Sequence, residues 1–185
     1  MRQKHIMILA VLLMALASCK GSKEKQTMEL LQAAEVDTVT HSMQPSEYTD
    51  SVQAWNSLVI YSIHNEPCDS MPVVTDQYGT KFKDNLFVLT IERNGQTVLK
   101  RKFTKNDFAS LMTAEFRKSG MFDGFRCKSY EDGVLIFSTC VSYPESDMSQ
   151  PFLVKVRQDG SVTIEQDKTP LNENPADSCI DEEGV

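Results

Sequence analysis

The sequence predicts a mainly β fold of the α+β class, an antiparallel β-sandwich or half-barrel with one packed α-helix at about residues 104–119. Three observations carry this. Runs of strand length rich in β-branched and aromatic residues recur along the chain, as in LVIYSI at 58–63. Asn94-Gly95, Asp132-Gly133 and Asp159-Gly160 each sit between two such runs, the pattern of a tight hairpin. Only one stretch, from Thr104 on, places apolar residues at sustained helical spacing.

The elements follow in order. Residues 58–63 read as a strand, and 64–72 as a loop because Pro67 and Pro72 interrupt any ladder. Asp76-Gln77-Tyr78-Gly79 reads as a turn. Segments 86–92 and 97–103 flank Asn94-Gly95, and 152–157 and 161–165 flank Asp159-Gly160. Two-residue loops would set Leu89 opposite Lys100 and Val156 opposite Thr163. Three-residue loops with glycine left-handed set Leu89 opposite Leu99, Val156 opposite Val162 and Val154 opposite Ile164. The second register gathers apolar side chains on one face and is expected for both hairpins. A third hairpin joins 126–130 to 134–143 through Asp132-Gly133. A three-residue turn there sets Cys127 opposite Phe137 and Cys140 opposite Gly124, on opposite faces, which argues against a bridge between the two cysteines.

The helix has a marked start and end. Thr104 suits the N-cap with Asp107 three residues on, and Phe103 and Phe108 suit a hydrophobic staple. Phe108, Leu111, Met112 and Phe116 make one apolar face, expected to pack as core rather than hold a ligand. Arg117 and Lys118 complement the helix C-terminus, and Gly120 suits a left-handed exit.

The chain ends carry a different message. Arg2 and Lys4 precede an apolar run over 6–17, shorter than the roughly 20 residues a spanning helix needs. Leu16-Ala17-Ser18-Cys19 then resembles a lipobox. That resemblance implies a signal peptide over 1–18, cleavage before Cys19, and lipidation of Cys19 with a diacylglycerol and a further palmitate-type chain. Several acyl chains hold a protein stably on a bilayer where one does not. Residues 19–50 then read as a lipidated tether, 51–167 as the β-rich domain and 168–185 as an acidic mobile tail. The residues after Cys19 include Lys20, Lys23 and Lys25 and no acidic run, which leans toward the periplasmic side of the outer membrane.

Composition narrows the function classes. The chain has 185 residues and a formal net charge of −7, with a cluster of carboxylates in the last segment. Phosphate affinity needs clustered Lys and Arg, so nucleic acid is not an expected partner. Lys100-Arg101-Lys102 with Lys105 forms a small basic cluster, read as a solvated sheet face. In an exported chain, Cys68, Cys127, Cys140 and Cys179 are candidates for disulfides, with the pairing open. No C-x-x-C or H-x-x-x-H spacing, nucleophile elbow, phosphate loop or dinucleotide fingerprint occurs, so no metal or cofactor is expected.

One loop holds the candidate chemistry. His64, Glu66, Cys68 and Asp69 fall close together after a strand, and imidazole beside a thiol can activate it. This supports an alternative reading as a hydrolase or thiol-dependent enzyme. The leading reading is a non-enzymatic envelope module, tethered by lipid, that binds a protein or glycan ligand. Trp55, Tyr61, Tyr78 and Tyr143 could stack on such a ligand, although burial at a sheet rim is the commoner role of such rings.

The segment YSIHNEPCDSMP at 61–72, with Tyr78-Gly79, Lys83-Asp84-Asn85, the strand after it, Phe103-Thr104 and Ser142-Tyr143-Pro144, resembles an uncharacterised family of small Bacteroidota lipoproteins over about residues 50–167. The resemblance implies an envelope location and a single compact domain, and carries over no catalytic residue.

Overall fold

Side chains alternate between buried and exposed along most of the strands, and this alternation builds the molecule. The computed structural model describes residues 39–168. Its strands, in chain order, are β1 (Thr40–His41), β2 (Ser46–Ala54), β3 (Ser57–Pro67), β4 (Val74–Thr75), β5 (Lys81–Phe82), β6 (Asn85–Arg93), β7 (Gln96–Thr104), β8 (Met121–Glu131), β9 (Val134–Ser142), β10 (Ser149–Arg157) and β11 (Val162–Gln166). Two four-stranded antiparallel sheets run in the orders β2-β3-β6-β7 and β11-β10-β9-β8, and a small three-stranded sheet has the order β1-β5-β4. The fold is therefore the expected sandwich, with no closed barrel among the described strands.

In β3 the odd positions Val59, Tyr61 and Ile63 are buried, and in β6 Phe87, Leu89 and Ile91 are. They join Phe122, Phe125, Leu135, Phe137, Val141, Phe152, Val154 and Val156 of the other sheet in one core. Period-two burial from both sheets is what a sandwich requires.

The helix differs from expectation. Lys105–Leu111 is a 3₁₀ segment, and an α-helix, α1, follows over Ala114–Ser119. Met112 and Thr113 are both extended, so the single helix over 104–119 is broken in the middle. Thr113 caps the second piece by accepting from the Phe116 N–H at 3.3 Å. A capping residue inside an otherwise periodic run gives the chain a second start. Arg117 joins the pieces, donating to the carbonyls of Ala109 and Met112 at 2.9 and 3.0 Å. At the first start the Thr104 N–H donates to Asp107 Oδ2 at 2.9 Å, as expected, and Phe103 and Phe108 are both fully buried. Gly120 has φ −87°, so its role is not a left-handed exit. A Cβ there would sit 2.5 Å from Val141 Cγ1, and glycine lets the segment close onto β9.

Hairpin register was predicted in part. Val156 pairs with Val162 and Val154 with Ile164, as expected from a three-residue loop. Across Asn94-Gly95, however, Ile91 pairs with Leu99 and Leu89 with Arg101, with a bulge that leaves Val98 out of the pairing. The turn itself is a two-residue loop with positive φ at Asn94 and Gly95. The bulge brings Phe87 opposite Phe103, both core residues. In the third hairpin Cys127 does face Phe137, through a two-residue turn plus a bulge, but Cys140 faces Asp123, because a second bulge omits Gly124.

Folded structure also starts before residue 51. β1 and the first half of β2 lie in the segment read as tether. β2 is an edge strand with most side chains exposed, so it lacks the apolar alternation that marks the others. Finally, residues 64–67 continue β3 rather than opening a loop, since Pro67 stands at the strand's last pair, opposite Asn85.

Candidate functional site

Beside β2 and β8, at one edge of the sandwich, lies a cleft of about 630 Å³. Small-ligand pockets fall in the range of about 300–1,000 Å³. Ile63, Phe87 and Phe125 supply apolar lining, and Ser46, Tyr48, Arg126, Cys127 and Ser138 are among its polar residues.

The even positions of β2 turn toward this space, since Val52 and Ala54 of the same strand are its more buried residues. That puts Tyr48 in the lining, with the exposed Asp50 beside it on the same face of the strand. Tyr48 Oη donates to Asp50 Oδ2 at 2.8 Å, Tyr61 Oη to the same oxygen at 3.4 Å, and the Ser51 N–H to Oδ1 at 2.7 Å. The rings of Tyr48 and Tyr61 are 6.3 Å apart and tilted by 55°. Tyr61 stands edge-on to Phe137 at 5.6 Å, which fixes it from the core side. Asn65 holds the start of β2, accepting from the Ser46 N–H at 2.8 Å and from the Ser46 hydroxyl.

Electrostatics follow from these contacts. The Ser51 N–H, then the Tyr48 hydroxyl, stabilise the Asp50 carboxylate and lower its pKa. The hydrogen bond to Asp50 raises Tyr48, and burial, with the nearby thiol and Asp50, raises Tyr61. Burial also raises the Cys127 thiol, a hydrogen bond with Tyr61 opposes it, and the Asp50 charge adds to it. Asp50 is thus an ionised acceptor at neutral pH, and the thiol is a protonated, weak nucleophile.

The expected cluster on β3 does not assemble. His64 contacts Glu66, with Nε2–Oε2 3.6 Å, on the outer face of the sheet. Cys68 is buried, its sulfur 3.3 Å from Ser70 Oγ, and Asp69 pairs with Lys83 at 2.7 Å. The four residues therefore enter three separate contacts, because the strand continues to Pro67 and carries His64 and Glu66 along its outer face. The disulfide expectation is met by no pair among the described cysteines, and pairs with Cys179 lie outside the described residues. No bridge joins any two of Cys68, Cys127 and Cys140. Cys127 sits in the inter-sheet cleft, Cys140 donates to the Asp123 carbonyl at 3.4 Å, and Cys68 follows β3. Cys19 and Cys179 lie outside the described residues. Among the described residues there is no group of three or more His, Cys, Asp or Glu placed to hold a metal ion.

The other aromatic and basic residues singled out do not line the cleft. Trp55 is buried in the β2–β3 turn at φ 51°, donating from Nε1 to the Gly133 carbonyl at 2.9 Å. Tyr143 stacks on Phe116 at 4.5 Å, and Tyr78 is exposed. The basic cluster is split. Lys100 and Lys102 are exposed, Arg101 pairs with Asp107 at 2.9 Å, and Lys105 is buried. Lys105 Nζ is 2.9 Å from Asp84 Oδ2 and donates to the Gly120 carbonyl at 2.6 Å. Asp84 Oδ1 accepts from the N–H groups of Phe122 and Asn85. This buried pair ties β6, the 3₁₀ segment and β8 together.

The sequence matches the family described as a domain of unknown function, DUF4738, over residues 24–164, and the chain belongs to that family. The match starts well before residue 51, in keeping with the early strands. No curated protein matches the sequence.

Proposed function

We propose that this chain is a membrane-anchored envelope lipoprotein whose β-sandwich is a non-enzymatic binding module, with the cleft between β2 and β8 as its ligand site. One observation carries the binding half of this reading. The cleft is of small-ligand size and mixed polarity, yet its thiol faces phenol and carboxylate groups rather than an imidazole. A carboxylate beside a thiol disfavours the thiolate that thiol catalysis needs. The alternative enzyme, centred on His64 and Cys68, lacks the contact that would activate its sulfur. The anchoring half rests on Arg2, Lys4, the apolar run and Leu16-Ala17-Ser18-Cys19. It assigns residues 1–18 to a signal peptide, Cys19 to lipidation and the folded body to the periplasmic side of the outer membrane.

Two measurements test this. In Triton X-114, the chain expressed in a bacterium that processes lipoproteins is expected in the detergent phase, and Cys19→Ala in the aqueous phase. Aqueous partition of the unsubstituted chain, with residue 19 unmodified by mass, overturns the anchor. For the cleft, iodoacetamide labelling of Cys127, mapped by peptide mass, is expected to be several-fold slower in intact envelopes than in the purified chain. Equal rates overturn the binding reading.

A further inference from the structure

We infer that the cleft takes a neutral sugar ring, laid against the Tyr48 face and hydrogen-bonded through its hydroxyls to Asp50. This rests on the binding reading above and adds the class of ligand.

Three features select that class. Tyr48 is 54% exposed although it faces the inner side of the sandwich, so its ring is offered to the cleft rather than spent on the core. Its hydroxyl is tied to Asp50 at 2.8 Å, which fixes the ring before any ligand arrives. An immobilised aromatic face costs little entropy to use, and it presents a flat apolar surface to the C–H face of a pyranose. Next, the carboxylate is held by neutral donors only, the Ser51 N–H and two phenols. Oδ1 accepts a single hydrogen bond from these groups and keeps capacity for a ligand hydroxyl, in a charge-assisted bond.

Charge then separates a sugar from an anion. Asp50, hydrogen-bonded to the cleft residues Tyr48 and Tyr61, repels an anion. A neutral ligand rich in hydroxyls meets no such penalty, and can use the hydroxyl and amide groups of Ser46, Ser138 and Asn65 along the walls. Ile63, Phe87 and Phe125 make the apolar side of the cleft, as sugar sites need for the less polar ring face.

Saturation-transfer NMR of the full purified chain tests this. The probes are neutral disaccharides of glucose, galactose, mannose and N-acetylglucosamine, with spermidine and a neutral hexapeptide as the other arms. At least one disaccharide is expected to bind. Tyr48→Ala and Asp50→Asn, each checked for an unchanged melting temperature, are expected to weaken it by about ten-fold or more. Tyr78→Ala, at an exposed turn, is expected to bind as the parent does. If no disaccharide binds, or if binding ignores both cleft substitutions, the inference falls. Binding of spermidine or the peptide alone, with Tyr48 dependence, replaces the sugar and leaves the cleft as a ligand site. Continued protection of Cys127 in envelopes alongside silent disaccharides does the same. Loss of that protection removes the binding reading itself.

Discussion

The two long edges of the sandwich are built in opposite ways. At the β7/β11 edge the sheets are drawn together. Gly160 sits so close to β7 that a Cβ there would lie 2.6 Å from the Val98 carbonyl oxygen, and the 3₁₀ segment packs against both β7 and β11. Phe108 drives from that segment into the core, with Phe122 and Phe152 each at a centroid distance of 5.0 Å. At the β2/β8 edge Trp55 closes one end, its backbone N–H donating to the Tyr130 hydroxyl at 3.0 Å, and further along the cleft opens beside Tyr48, Tyr61 and Cys127. One edge is sealed by the Gly160 turn and the 3₁₀ segment, and the other keeps the cleft. A fold that can close one edge this tightly leaves the other open through its side chains, not through any limit of the architecture.

Breaking the buried ion pair beside the 3₁₀ segment gives the largest effects. Lys105→Met would leave Asp84 Oδ2 buried, with no hydrogen-bond donor in place of the ammonium. Removing one partner of a buried pair costs about 3–5 kcal/mol, so the urea midpoint is expected to fall sharply at constant m-value. Adding Asp84→Asn, which removes the orphaned charge, is expected to recover part of the loss. A double variant as unstable as the single one would show that the cost lies in the lysine's packing and its bond to Gly120.

Gly160→Ala comes next. The residue has φ +78°, and the added methyl meets the Val98 carbonyl. Left-handed strain and overpacking together give about 1–3 kcal/mol, read from thermal melts. The comparison sharpens with Gly95→Ala, where φ is +76° but nothing lies within 4 Å. That variant should show the conformational cost alone, and the difference between the two measures how firmly the edge is shut.

The sealed edge was also the more legible one. Asp159-Gly160 between apolar runs, and Phe103, Thr104, Asp107 and Phe108 at the segment start, state their roles through local chemistry. What they leave open is non-local. The apolar pattern fixes which face a strand turns to the core, but a shift of two residues preserves every face. Leu89 opposite Leu99 and Leu89 opposite Arg101 are therefore equivalent by that rule, and the pairing of Phe87 with Phe103 decides between them. Thr113 is a cap only because the chain breaks there, and the 104–119 periodicity runs straight through it. The open edge carries weaker signals. Its residues on β2 are polar and alternate without an apolar partner set, so Tyr48 and Asp50 read as tether. Cys127 reads as a disulfide candidate until its neighbours are known. The adjacency of His64 and Cys68 in sequence suggests a catalytic pair, which β3 undoes by placing His64 on the outer face.

The smallest effects lie at the open edge, and there the sign matters more than the size. Burial places the Cys127 thiol above its ordinary pKa, Tyr61 pulls it back through a hydrogen bond, and the Asp50 charge pushes it up. Tyr61→Phe removes the stabilising donor, so the midpoint of the pH–rate profile for Cys127 alkylation is expected to move up. Asp50→Asn removes the repelling charge, so it is expected to move down. Because the folded thiol's pKa is raised, its contribution to stability is fully present below the ordinary thiol value of about 8.5 and is lost as pH rises through the folded one. Asp50 runs the other way, since its folded pKa is lowered. Its contribution is present above the ordinary carboxylate value of about 3.9 and is lost as pH falls through the folded one. Alkylation profiled by peptide mass from pH 7 to 10, with Cys127 resolved from the other cysteines, reads both variants. Shifts of the same sign in both would mean that the thiol does not sense the Tyr61–Asp50 pair, and the open edge would then be only a gap between sheets rather than a wired polar site.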